Sequence, residues 1–180
     1  MSSSDWVNTS APYLTPREEG GRDAWSEETA ARGRRGRQRV VHAGEIPAPP
    51  DVAALLDTAG GQPVVVRRRI MYLDDLPWEL TDTYYPAHIA VGTRLAGTAR
   101  IPGGAVTLLA ALGHVGALVR EDVTAGMPSE EERGLLRAGP GEPALRLTRL
   151  TLDGAGVPIQ VDKMTMPAGR QRLRYELRIG

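Results

Sequence analysis

Alternating apolar and polar residues recur along most of the chain, and turn residues separate the runs. Such alternation is typical of half-buried strands. Tight polar turns at Asp74-Asp75 and Asp153-Gly154 predict antiparallel neighbours. The pattern therefore predicts an α+β fold with about six or seven mostly antiparallel strands. The predicted strands cover residues 38–46, 64–73, 76–86, 115–124, 144–152, 157–166 and 170–179.

Short helices are predicted between these strands. Ser129 and Glu132 have the spacing of a capping box, in which each side chain bonds the other residue's backbone amide. Asp23 or Ser26 would begin the first helix, and Asp51 would cap the second. The predicted helices cover residues 23–32, 52–58, 105–112 and 130–137.

The first part of the chain lacks this periodicity. Residues 1–22 are rich in Ser, Pro and Gly, which predicts a flexible N-terminal segment. Residues 23–180 are expected to form one ligand-binding domain, because this length can bury a real core.

Composition excludes several classes of protein. The net charge is zero and there is no cysteine, so neither a strongly basic nucleic-acid binder nor a disulfide or thiolate-metal protein is expected. No apolar run approaches the ~18 residues of a membrane span, and no signal peptide is evident. These observations predict a cytoplasmic protein without membrane contact.

Motifs for catalysis, metals and cofactors are not evident. His42, His88 and His114 lack metal-ligand spacing, and neither a phosphate-binding loop nor a nucleophile elbow occurs. We therefore predict no metal, no cofactor and no catalytic residue. The arginine-rich run at residues 32–39 is interpreted as a solvated loop, and a DNA contact is the alternative.

Alternation along three strands predicts the walls of a small-molecule pocket, because every second side chain shares a face. Val157, Ile159 and Val161 would face the core, opposite the predicted pocket wall of the same strand. Either Arg67 or Arg69 could neutralise an acidic ligand. The candidate wall residues are Arg67, Arg69 and Met71 on the first strand, Glu79, Thr81 and Thr83 on the second, and Gln160, Asp162, Met164 and Met166 on the third.

The order of several motifs resembles a known family. An arginine-bearing strand precedes Leu-Asp-Asp-Leu-Pro, and the next strand ends in Tyr-Tyr-Pro. Gly-Gly-Ala-Val-Thr-Leu-Leu follows, and then a capped helix, a strand and an Asp-Gly hairpin in residues 128–161. Over residues 24–179 the chain resembles the effector-binding UTRA domain of GntR-type transcriptional regulators of the HutC group.

The resemblance implies a chorismate-lyase-like fold, with a mainly antiparallel six-stranded sheet and short covering helices. It implies a homodimeric sensor of a small cytosolic effector, which is not an enzyme. Full-length members carry an N-terminal winged helix-turn-helix, so DNA binding is expected only through a separate or missing domain. The alternative is a small enzyme on this scaffold, acting on a carboxylated cyclic metabolite.

The resemblance also places the binding residues. Members that bind amino-sugar phosphates use Arg-x-Arg on the first hairpin strand, and Arg69 matches the first position whereas Met71 stands at the second. The small polar residues that these members use at a helix start align with Gly104 and Val106 here. Their glutamate on the second hairpin strand aligns with Thr81, and their carboxylate and tyrosine on the late strand align with Gln160 and Met166. The sugar-phosphate chemistry is therefore not expected here. An apolar or mixed ligand with one acidic group held by Arg69 is predicted.

Overall fold

One six-stranded antiparallel sheet organises the chain. The computed structural model describes residues 6–18, 20–177 and 179. The strands are β1 (Val7–Asn8), β2 (Gly36–Pro47), β3 (Pro63–Leu73), β4 (Leu76–Pro86), β5 (Gly116–Gly126), β6 (Ala144–Asp153), β7 (Pro158–Pro167) and β8 (Arg172–Leu173). The sheet order is β2-β3-β4-β7-β6-β5, so β3, β4, β7 and β6 are interior and β2 and β5 are edges. The predicted α+β class is confirmed.

The helices are short and lie beside the sheet. Asp23 caps α1 and the Ser129–Glu132 capping box begins α5, as predicted. Asp51 is not the cap of α2, because Pro49 occupies that position. Asp51 lies in the first turn and accepts a hydrogen bond of 2.6 Å from Lys163. The helices are α1 (Ala24–Ala31), α2 (Pro50–Leu55), α3 (Ala87–Ala90), α4 (Ala105–Ala111) and α5 (Glu130–Leu136).

The prediction of a long C-terminal strand over residues 170–179 is wrong. Among the described residues of this range only β8 forms, and it pairs in parallel with β1 rather than with the main sheet. The backbone amides of Arg172 and Arg174 donate to the carbonyls of Trp6 and Asn8. Alternation beyond this point cannot make a strand without a neighbouring partner, and Leu177 is 89% exposed.

The N-terminal segment was expected to be flexible throughout residues 1–22. Residues 1–5 and 19 lie outside the described residues, whereas the described part packs against the domain. Trp6 is buried, and its ring lies 5.5 Å from the ring of Trp25 and 5.9 Å from that of Trp78. Trp6 belongs to no periodic pattern of apolar residues, so the sequence could not predict that it packs against the domain. The boundary between segment and domain stays a prediction.

Both faces of the sheet are covered. Beneath α2, one face buries Val64, Val66 and Val161 together with Leu150. The opposite face buries Val65 and Tyr85 near α3 and α4, in one cluster with Ile89, Leu95 and Leu109. Polar residues on this second face are therefore removed from water, which requires that they find partners within the protein.

A β-bulge changes one predicted face. Thr151 pairs with Gln160 and Leu152 pairs with Pro158, which leaves Ile159 as an extra residue on β7. Ile159 consequently packs with Val65 and Tyr85, on the face opposite Val161. The predicted common face of Val157, Ile159 and Val161 is therefore wrong. Val157 precedes the strand and is exposed.

The arginine run at residues 32–39 pairs with the turn of the β3–β4 hairpin. Arg34 contacts Asp74 at 2.7 Å, and Arg35 and Arg37 contact Asp75 at 3.0 and 3.6 Å. These exposed pairs neutralise much of the local charge. They favour the solvated interpretation of the run over a DNA contact.

Three consecutive arginines on β3 have different environments. Arg68 is on the α2 side and pairs with Asp82 at 2.9 Å with half of its side chain exposed. Arg67 is buried on the opposite side, where its guanidinium donates to the carbonyls of Arg94, Gly97 and Ala99. Arg67 thereby fixes the loop that leads to α4.

We predict that Arg67→Met lowers the free energy of unfolding by about 2–4 kcal/mol, because three carbonyls lose a charged donor. The control Arg68→Met removes an exposed ion pair and should change stability by less than about 1 kcal/mol. Urea unfolding measures both variants. Equal effects of the two substitutions would contradict this assignment.

Candidate functional site

Strand register brings the predicted pocket residues onto one face. Arg67 pairs with Thr83 and Thr83 with Asp162, which forms one row across β3, β4 and β7. A second row joins Arg69, Thr81 and Met164. Met71 pairs with Glu79 one step further along. Three groups predicted separately from alternation therefore meet on a single surface.

Two adjoining cavities lie over this surface. The first, called the polar cavity, has a volume of about 110 Å³. The second, called the apolar cavity, has a volume of about 60 Å³. Tyr13, Trp25, Met71 and Arg149 line both cavities, so the two are neighbours. The predicted residues that line the polar cavity are Arg67, Arg69, Met71, Gly104, Val106, Gln160 and Asp162, and those that line the apolar cavity are Met71, Glu79, Met164 and Met166.

The other two predicted residues, Thr81 and Thr83, line neither cavity. Both are buried, and each hydroxyl bonds a charged neighbour. Thr83 accepts from Arg69 at 2.8 Å and donates to Asp162 at 2.6 Å. The threonines therefore orient charged side chains rather than contact the cavity space.

Asp162 is fully engaged within the protein. Its carboxylate accepts from Thr83 and, at 2.6 Å, from the side-chain amide of Gln160. Asp162 is only 4% exposed, so these bonds offset the cost of burying its charge. The carboxylate of Asp162 would therefore contribute no favourable contact to an acidic ligand.

Arg69 is the cation of the polar cavity whose guanidinium is bonded neither by a carboxylate, as in Arg17 and Arg149, nor by a set of backbone carbonyls, as in Arg67. Its guanidinium contacts only Thr83 and, at 3.4 Å, the side chain of Gln38. No carboxylate among the residues that the structure describes lies within 4 Å of it. Its Nε atom is buried and has no hydrogen-bond acceptor. Arg69 can therefore accept an anionic group in a way that Arg67 cannot.

Tyr85 adds a second buried donor beside Arg69. Its hydroxyl lies near Thr83 but makes no hydrogen bond of ordinary geometry. Burial raises the pKa of Tyr85, so the hydroxyl stays protonated. A ligand acceptor would relieve the cost of leaving such a donor unpaired.

Glu79 is the ionisable predicted residue of the apolar cavity. Thr81 donates to its Oε1 atom at 2.5 Å. Burial raises the pKa of Glu79, and the hydrogen bond from Thr81 opposes this shift. The side chain is partly accessible, and we attribute that accessible part to the cavity it lines.

The chain ends cover both cavities. Asn8, Thr9 and Ser10 line the apolar cavity, and Thr15 and Arg17 line the polar one. Arg149 holds the cover to the sheet, because it donates to Ser10 at 3.0 Å and to Glu121 at 2.6 Å. Arg17 also bonds Thr107 of α4 through its backbone amide.

A larger hollow on the other face of the sheet is less suited to binding. A hollow of about 350 Å³ lies on the opposite face, beside α5. Several of its charged residues are already paired, for example Arg68 with Asp82 and Arg146 with Glu132 at 2.7 Å. A ligand there would have to compete with these ion pairs.

Sequence reasoning missed several cavity residues. Tyr85 shares the alternation of Glu79, Thr81 and Thr83, so the same pattern could have identified it. Arg149 could be placed only through the β6–β7 register, which pairs it with Asp162. Tyr13 and Trp25 follow no period and were not identifiable.

The described residues contain no group of three or more side chains that could hold a metal ion. Among them there is also no helix with the length and hydropathy needed to cross a membrane.

Comparison with known proteins identifies relatives. The model of the UTRA domain matches residues 31–172. A histidine utilization repressor from Pseudomonas aeruginosa is 33% identical over 149 residues, which are 82% of this chain and 58% of the repressor. The chain thus spans less than two thirds of the length of that curated relative.

Solved structures support the same fold. PhnF from Mycobacterium smegmatis matches with a TM-score of 0.77 at 20% identity, over 91% of this chain and 74% of PhnF. The C-terminal domain of a histidine utilization repressor from Pseudomonas syringae matches with a TM-score of 0.64 at 25% identity, over 81% of this chain and all of that domain. The chain belongs to the UTRA domain family, the effector-binding domains of GntR-type regulators of the HutC group.

Proposed function

We propose that this chain senses a small acidic metabolite, which Arg69 binds in the polar cavity. The observation that carries the proposal is the state of Arg69: among the residues that the structure describes, no carboxylate lies within 4 Å of its guanidinium, and its buried Nε atom has no hydrogen-bond acceptor. A guanidinium binds a carboxylate through two parallel hydrogen bonds, which gives both affinity and orientation.

The size of the cavities limits the ligand. Both volumes lie below the roughly 300–1,000 Å³ of pockets for drug-sized molecules. A small ligand fits this space best, unless the cover formed by the chain ends moves. Met71 stands where the members that bind sugar phosphates have their second arginine. A phosphate group would therefore contact one cation fewer in this protein than in those members.

Sensing requires that the ligand favour one state of the protein over another. A ligand that closes the cover over the sheet would stabilise the position of the N-terminal segment. In the regulator, this would shift a separate winged-helix domain between DNA-binding geometries. Such a protein acts in the cytoplasm, where its effector and the DNA are found.

A second copy is the proposed partner. The edge strand β5 is eleven residues long, and Leu118 and Val123 are exposed on it. Long apolar edges favour pairing with another strand. The other edge, β2, exposes one large apolar side chain, Val41, whereas both edge strands carry charged residues and a register shift. We infer that two chains pair through β5.

One observation favours the enzyme alternative. Glu79, a half-buried carboxyl group whose pKa burial raises, lines a cavity and could donate a proton to a substrate. Turnover of a carboxylated cyclic acid that is lost in Arg69→Ala would favour this alternative. The relatives are transcriptional regulators, so we retain the sensor as the proposal.

For effector binding, we predict that Arg69→Met weakens the binding of small carboxylates at least tenfold, because one charged anchor is lost. The matched control Arg68→Met changes the neighbouring arginine on the opposite face and should leave binding unchanged. Calorimetric titration with phenylacetate and para-ethylbenzoate measures both. Binding that is insensitive to Arg69, or no binding of either acid, contradicts the proposal.

For assembly, we predict a mass of twice 19.4 kDa in solution. Leu118→Glu should produce monomers, because a charge would be buried at the paired edge. The control Leu76→Glu places the same charge at the hairpin turn, where the native side chain is also exposed. Light scattering after gel filtration gives the masses. A dimer that survives Leu118→Glu excludes this edge as the interface.

A further inference from the structure

Glu79 has no role in binding an acidic group, yet it occupies the wall of the apolar cavity. Of its two carboxyl oxygens, Oε1 accepts from Thr81. No cation among the residues that the structure describes lies within 4 Å of the carboxyl group. Its Oε2 atom also has no hydrogen-bond donor in that part of the chain. A half-buried carboxyl group with an open oxygen is stabilised when a partner binds in the cavity.

The nearby arginines do not supply that partner. Arg69 and Arg149 act on Glu79 only over a longer range. Arg149 is engaged by Glu121 at 2.6 Å and by Ser10 at 3.0 Å, and both side chains of the Arg149–Glu121 pair are only 9% exposed. Arg69 is held by Thr83. Glu79 therefore faces the cavity without a counter-ion of its own.

Apart from Arg149, which Glu121 engages, and Arg174, which is exposed to water, the remaining lining suits a cationic group better than a second anion. The apolar cavity is bounded by aromatic rings, including Tyr13 and Trp25, and by the thioethers of Met71, Met164 and Met166. Aromatic faces attract ammonium and similar cations, and an acidic group would be repelled by Glu79. Polarizable thioethers adapt to the shape of a small group.

We propose that the apolar cavity binds a protonated nitrogen, so that the effector carries an amine or a similar cation on Glu79 and an acidic group on Arg69. This inference rests on the proposed function, because it extends the ligand from the polar cavity. Met71, Tyr13, Trp25 and Arg149 border both cavities, so the two lie side by side, and a molecule that reaches both would contact Glu79 and Arg69. The ligand class is thus a zwitterion rather than a simple acid.

Matched probes test this class. Para-aminomethylbenzoate and para-ethylbenzoate have nearly the same shape, and so do γ-aminobutyrate and pentanoate. Only the first member of each pair carries the cation. The amine probes of the two pairs differ in the distance between their charged ends, so that one of them can match the distance between Glu79 and Arg69. We expect at least one amine probe to bind about tenfold more tightly than its uncharged partner in calorimetry.

Glu79→Gln provides the decisive variant. The amide keeps the shape and can donate a hydrogen bond, but it cannot carry a negative charge. The preference for the amine should fall to within about twofold, while para-ethylbenzoate should still bind. Thermal unfolding should show a stable fold, because the substitution removes a buried ionisable group. The control Glu131→Gln changes an exposed carboxylate near the opposite face and should keep the preference.

The outcomes separate this inference from the proposed function. If the acids bind through Arg69 but no amine is preferred, the inference is wrong and the proposed function stands. A preference that survives Glu79→Gln also overturns it, because a neutral donor would then suffice. If no probe binds, both proposals fail.

Discussion

The cost of burying charges on one face of the sheet governs the structure of this protein. Antiparallel register places Arg67, Arg69 and Asp162 on the same face, and covering segments remove that face from water. Each buried charge then requires a partner. Arg67 uses three backbone carbonyls and Asp162 uses two side-chain donors. Arg69 and Glu79 face cavity space without an ion partner within 4 Å in the described part of the chain, and the account of ligand binding follows from these two groups.

Alternation predicted most of this face, because a strand has a fixed period of two. It placed Arg69 beside Met71, Glu79 beside Thr81, and Asp162 beside Met164 before any register was known. It could not distinguish the roles of Arg67 and Arg69, which depend on where the loop after α3 runs. The carbonyls that engage Arg67 are supplied by residues 94–99, which have no sequence signal for this contact.

The errors have physical causes of their own. The bulge at Ile159 reverses the face of a single residue and depends on the partner strand. The final predicted strand had the right alternation but no neighbour in the main sheet, so only Arg172–Leu173 paired. Trp6 shows the opposite error, since an aperiodic segment is held by aromatic packing. These features require tertiary contacts that local patterns do not contain.

The most direct test is a crystal structure of the protein with the small molecule that it retains from its host. We expect density in the two neighbouring cavities, with an acidic group within hydrogen-bonding distance of the Arg69 guanidinium. A molecule bound instead in the hollow beside α5, or one that leaves Arg69 without a contact, would contradict effector binding through Arg69.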